Sequence, residues 1–251
     1  MNKIIVKSDD INYLRAWEML SSGKYNGAYY YSQDIENYII PNIKTDRPIN
    51  LIGTLACGGE DSMVVFVHHY LNVREKYQWL RRYNDIIIVS SDYAADKDLL
   101  RYGRVIHLPL SVNVSEIAKH RKNPTQKACF YGNQWGFRRK EISELVPPEV
   151  PRFGEMPRET AWDVVSDYAD CYAIGLCAME AQVLGCHLKM SRYRYPEPEK
   201  SFPILDCECA AKLLQEALDM LEEDRELEYV DCAKLKCYKK ALRDSRKKAN
   251  V

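Results

Sequence analysis

DIIIVSSDYAADKDLLRYGRVIHLPL, residues 85–110, decides how the fold of this chain is read. DIIIVS is apolar at successive positions, without the polar alternation of a strand that keeps one wet face. SDYAADKDLLRY follows with helical spacing, Gly103 closes it, and RVIHLPL is a second apolar run. Strand, helix, glycine, strand is the unit of a parallel sheet. Parallel neighbours need a crossover, and the crossover helix covers the sheet face beside it.

The same rhythm extends in both directions. Upstream stand KIIVKS, a helix NYLRAWEMLSSG closed by Gly23, GAYYYS, PINLIGTL, SMVVFVHHY and a helix VREKYQWLRRYN. Downstream, a polar and charged stretch with Pro124 reads as a linker. A second cycle follows it: KACFYG as strand, FRRKEISELV and PRETAWDVVSDYAD as helices, DCYAIG as strand, LCAMEAQVLG as helix and CHLKMS as strand. Two long helices, 210–228 and 232–248, are expected to end the chain. The expected division is a first α/β domain over 1–115, a linker over 116–126, and a second α/β domain with a helical tail over 127–251. Open parallel sheets bind ligands at the carboxyl ends of their strands, where helix N-termini present unpaired amides. A nucleotide or another phosphorylated ligand is therefore expected between the two sheets.

Lys and Arg together number 36, as do Asp and Glu, so the net charge of zero does not favour a protein that coats nucleic acid or an anionic membrane. Two basic stretches, KHRKN at 119–123 and RDSRKK at 243–248, are candidates for a local patch. Nine cysteines, an odd number scattered along the chain, read as reduced buried thiols in a cytoplasmic setting. The close pair Cys207 and Cys209 lacks a partner pair at zinc-finger spacing, and no metal is expected. Neither a secretory leader nor a membrane-spanning apolar run is seen. There is no GxxxxGK[ST] phosphate loop.

Three groups of residues could carry chemistry. His68 and His69 end an apolar strand; either could take a proton from a hydroxyl at the sheet edge, and strand geometry lets only one face it. YGNQWGFRRKE places Gly132 and Asn133 at a turn and Arg138, Arg139 and Lys140 near the start of a helix. Cations there oppose the helix dipole, which a bound diphosphate would explain; a solvated charge run is the other reading. In IGLCAMEAQVLG, Gly175 and Leu176 begin a helix, and Glu180 follows about one turn later amid apolar neighbours.

MEAQVLGCHL, ACFYGNQWGFRRK and the 85–110 segment together resemble the GT-B glycosyltransferases, in particular their large retaining, nucleotide-sugar-dependent class. The resemblance covers roughly residues 60 to 190. It implies two Rossmann-like parallel-sheet domains facing a cleft, and transfer of a sugar from a nucleotide-sugar, taken as a UDP-sugar, without a metal. It further implies that Glu180 holds the donor ribose beside Gly175 and Leu176, and that Arg138, Arg139 and Lys140 neutralise the departing diphosphate. By the same resemblance the loop with Phe153 and Met156 meets the base, and a histidine of the His68–His69 pair lies near the transferred sugar. The class carries a second carboxylate where this chain has Tyr172. Its members include enzymes that act on modified bases of viral DNA, which would put this chain in a host cytoplasm; a glycan or small-molecule acceptor is equally compatible. The alternatives are a degenerate protein that binds a nucleotide or partner without turnover, and a nucleotide-sugar epimerase.

Overall fold

A computed structural model describes residues 33–51, 62–67, 78, 80–132, 146–153, 156–189 and 203–249. Two parallel sheets organise these residues into a mixed α/β fold. The first sheet contains β1 (Ile49–Asn50), β2 (Ser62–Val67), β3 (Asp85–Ser90), β4 (Arg104–His107) and β9 (Tyr229–Asp231), in the order β1-β2-β3-β4-β9. The second contains β5 (Gln126–Tyr131), β6 (Arg152–Phe153), β7 (Tyr168–Ala173) and β8 (His187–Leu188), in the order β6-β5-β7-β8.

The 85–110 segment folds as its pattern requires. α1 (Tyr93–Leu99) starts where the Asp92 carboxylate accepts the Ala94 amide at 3.0 Å, one of the amides left unpaired at a helix start. Gly103 then lets the turn lie on β3: a Cβ there would meet the Ile86 carbonyl oxygen at 2.6 Å. Strand alternation sends Val65, Ile88 and Val105 toward Ala95 and Leu99 of α1, and Val64, Ile87, Val89 and Ile106 into the larger core on the other face.

The chain departs from the expected division in three places. The stretch read as a linker begins as α2 (Val114–Ala118), capped by Asn113, with Val114 and Ile117 buried; its last residue, Gln126, already belongs to β5. The helix expected over PRETAWDVVSDYAD is α3 (Arg158–Val165), and β7 starts at Tyr168. The tail does not belong wholly to the second domain. α5 (Cys207–Glu223) packs on the helical segment Ile35–Ile39 and on β4. After it, Tyr229–Asp231, in the gap between the two expected helices, pairs with Val105–His107 of the first sheet. α6 (Tyr238–Ala249) then packs on α2 and α5.

The connection around residue 112 is fastened by backbone and charge together. The Val112 amide donates to the Leu205 carbonyl at 3.0 Å, and Val112 accepts from the Cys207 amide at 3.1 Å. Asp206 caps α5 through the Glu208 amide and takes Lys248 Nζ at 2.8 Å. Buried apolar side chains form one cluster from Ile87, Val89 and Ile106 through Ile117 and Leu205 to Cys129, Cys171 and Ala173, so both sheets share a core.

Candidate functional site

β5 and β7 are central neighbours in the second sheet, and the carboxyl ends of both lead into glycine. Gly132 follows β5, and its amide donates to the Phe153 carbonyl at 2.9 Å, holding this turn to the end of β6. Gly175 follows β7 at φ 58° and ψ −132°, a region that a residue with a Cβ rarely adopts. It opens α4 (Leu176–Val183), and a Cβ built on it would have no atom within 4 Å. The backbone conformation alone therefore selects glycine here.

Glu180 lies on the core side of α4 and is 1% exposed. Its Oε1 accepts from Arg158 Nε at 2.8 Å and pairs with Nη2 at 2.6 Å, while Oε2 accepts the hydroxyl of Tyr131, the last residue of β5. Arg158 also reaches the first half of the chain, where Nη1 and Nη2 grip Asp34 Oδ1 and Oδ2 at 2.8 and 2.7 Å. The Trp162 ring lies 4.9 Å from the guanidinium carbon. The expected open ribose clamp is thus a carboxylate already engaged by protein donors. Burial, with the Glu180 charge behind it, pushes the Tyr131 phenol well above its usual range. Burial acts against a charged Arg158, yet Glu180 and Asp34 hold its pKa well above the usual value. Burial raises Asp34 above the usual carboxylate range despite Arg158. Two carboxylates share one guanidinium, so this triad is one positive charge short of balance.

Tyr172 does not stand at the strand edge. It pairs in register with Phe130 and packs with Phe130, Val146 and Val150. Phe153 and Met156 are half-buried against the main core, and Leu176 is buried in it. His68, His69, Asn133, Arg138, Arg139 and Lys140 lie outside the described residues.

A different histidine ends a strand in the first sheet. His107 closes β4, with Nδ1 3.0 Å from Asp96 Oδ2, and the Tyr229 hydroxyl donates to the same oxygen at 2.9 Å. The Tyr93 ring stacks on the imidazole at a centroid distance of 3.5 Å, and its hydroxyl reaches Asp231 Oδ1 at 3.2 Å. Asp96 Oδ1 is buried without a hydrogen-bond donor. Burial first, then the neighbouring carboxylates, pushes both phenols up. The arrangement fixes an imidazole between a buried carboxylate and an aromatic ring.

Sequence reasoning missed Asp34, Tyr131, Arg158 and the His107–Asp96 pair. One signal was available: Arg158 opens a helix, where a cation opposes the dipole. That same argument singled out Arg138 to Lys140. The partners of Arg158 had no local signal, because Asp34 is 124 residues away.

The described cysteines are all unpaired, six of them buried. Among the described residues, no group of three or more His, Cys, Asp or Glu side chains is placed to hold a metal ion, and no helix is long and apolar enough to cross a membrane. Comparison with protein-family models, curated proteins and solved structures returns no match for this chain.

Proposed function

We propose that this chain is a glycosyltransferase that moves a sugar from a nucleotide-sugar, taken as a UDP-sugar, to an acceptor, with the carboxyl edges of its two sheets facing one cleft. The observation that carries this reading is the pair of glycines at the ends of β5 and β7. Gly175 there has a glycine-favouring backbone, open space at its Cβ position and a helix beginning at the next residue. Backbone amides in such a turn suit a phosphate oxygen or a sugar hydroxyl. Arg138, Arg139 and Lys140 would supply the charge that stabilises the leaving diphosphate. Glu180 would meet the ribose only after exchanging Arg158 or Tyr131 for the ligand, so donor binding includes a rearrangement of the triad. Retention of anomeric configuration follows from the resemblance and belongs to the same proposal.

A second reading has an observation in its favour. Tyr172 packs into an apolar cluster and Glu180 is covered, so neither of the two carboxylate positions of the resembling class offers a free carboxylate. A protein that binds a nucleotide without turning it over would look like this.

Thermal unfolding with UDP and UDP-sugars, without added metal, tests the donor site. A hundredfold excess over Kd is expected to raise Tm by about 5–10 °C. The rise should shrink in Arg139→Ala and Glu180→Gln. A flat Tm across all nucleotides overturns the reading. Slow release of free sugar from the stabilising donor favours the enzyme, and binding with no release favours the second reading.

A further inference from the structure

The outer face of α6 is built almost wholly of cations. Lys239, Lys240, Arg243, Arg246 and Lys247 are all exposed. At 100° per residue they fall within an arc of about 120°. The opposite side is buried: Tyr238, Ala241 and Leu242 pack against the main core, and Ser245 and Ala249 are buried. The single acid of the helix, Asp244, sits beside the arc. Lys248 points away to Asp206 and Glu208. None of the five outer cations forms an ion pair among the described residues.

Two further observations mark this face as more than a solvated surface. Cations in the last turn stabilise the helix dipole, which accounts for Arg246 and Lys247. Lys239 and Lys240 occupy the first turn, where the dipole opposes them. The basic stretch at 119–123 also meets the end of this helix, with Arg121 Nη1 donating to the Ala249 carbonyl at 3.1 Å. Lys119 and Lys122 pair with Glu116 and Asp167, so it is Arg121 that brings this stretch to the helix end.

We propose that this face binds the phosphodiester backbone of a nucleic acid duplex. The five outer side chains are all Lys and Arg, cations that pair with phosphate oxygens. From Lys239 to Lys247 the helix runs about 12 Å, which spans three to four phosphates of one strand, roughly. An anionic bilayer fits less well. A helix that lies in a membrane inserts an apolar face, and the apolar side of α6 is occupied by the core. Neither this reading nor the proposed function depends on the other.

Fluorescence anisotropy of the full chain with a short labelled DNA duplex tests this. The logarithm of affinity should fall with the logarithm of salt concentration at a slope of about −3 to −4, a loss of about 60- to 250-fold between about 50 and 200 mM salt. The triple reversal Lys239→Glu, Arg243→Glu, Lys247→Glu should abolish binding at low salt. Each single reversal should reduce the slope by about 1. An equal charge change elsewhere, Lys44→Glu, Lys97→Glu, Arg101→Glu, should preserve the slope; an unchanged Tm in each variant shows that the fold is intact. The proposal is overturned by absence of binding at low salt, by binding that survives the α6 triple reversal, or by binding to phosphatidylserine vesicles but not to the duplex.

Discussion

Arg158 and Arg47 each bridge two carboxylates, and the aspartate in each pair shifts in the opposite direction. Arg47 joins the amino ends of the first sheet's strands, with Nη2 2.8 Å from Asp85, Nε 2.6 Å from Glu222 and Nη1 2.6 Å from Ser62 Oγ. Arg104 and Arg225 also reach Asp85, at 3.0 and 3.5 Å. Asp85 and Glu222 remain 41% and 39% exposed, whereas Asp34 and Glu180, the partners of Arg158, are 4% and 1% exposed. Burial would raise Asp85, but Arg47 and Arg104 outweigh it and hold the carboxyl below its usual range. At Asp34 burial wins over Arg158. The arginine is the same; surplus cations and water surround one cluster, while burial sets two carboxylates on one guanidinium in the other, beside the proposed ligand edge.

Removing each arginine in turn tests whether burial separates the two clusters. Arg158→Met leaves two buried carboxylates without a cation and is expected to cost about 3–5 kcal/mol. Arg47→Met leaves half-hydrated carboxylates that keep Arg104 and Arg225, with an expected cost of about 1–2 kcal/mol. Urea unfolding of both variants measures the difference. Equal losses would mean that burial is not what separates the clusters.

The pH dependence of stability should carry opposite signs from the two aspartates. Asp34 binds its proton more tightly folded than unfolded, so its contribution is greatest below the usual carboxylate range and is lost as pH rises through its raised pKa. Asp85 binds its proton less tightly folded, so its contribution is present above the usual range and is lost as pH falls through its lowered pKa. Subtracting the Tm–pH profile of Asp34→Asn from that of the native chain should leave a curve falling with pH. The same subtraction with Asp85→Asn should leave one rising with pH. Two curves of the same slope would contradict the assignment.

The elements legible in the sequence were those decided by local pattern. The apolar runs of β2 to β5 and the helix α1 declared themselves through hydrophobic runs, helical spacing and the closing Gly103. β9 did not, because a three-residue segment becomes a strand only by pairing with β4. α3 ended early for a related reason: alternation from Tyr168 onward serves the sheet, and tertiary pairing overrides helical propensity. Glu180 stood out as a carboxylate in an apolar helix, and its burial agrees with that pattern. Its engagement by Arg158 and Tyr131 could not be read, since those contacts close only when distant segments meet.

The smallest expected effect isolates one of those contacts. Tyr131 donates to Glu180 Oε2 from the end of β5, while Arg158 serves Oε1. Tyr131→Phe keeps the ring's packing but leaves a buried carboxylate oxygen without its donor, at an expected cost of about 1–2 kcal/mol. It also removes a competitor for the oxygen that a ribose hydroxyl would need. Under the proposed function, the variant should therefore be less stable alone yet gain more in Tm from UDP than the native chain does. A loss of stability with no change in the UDP-induced shift would make the contact purely structural, and would place the nucleotide away from Glu180.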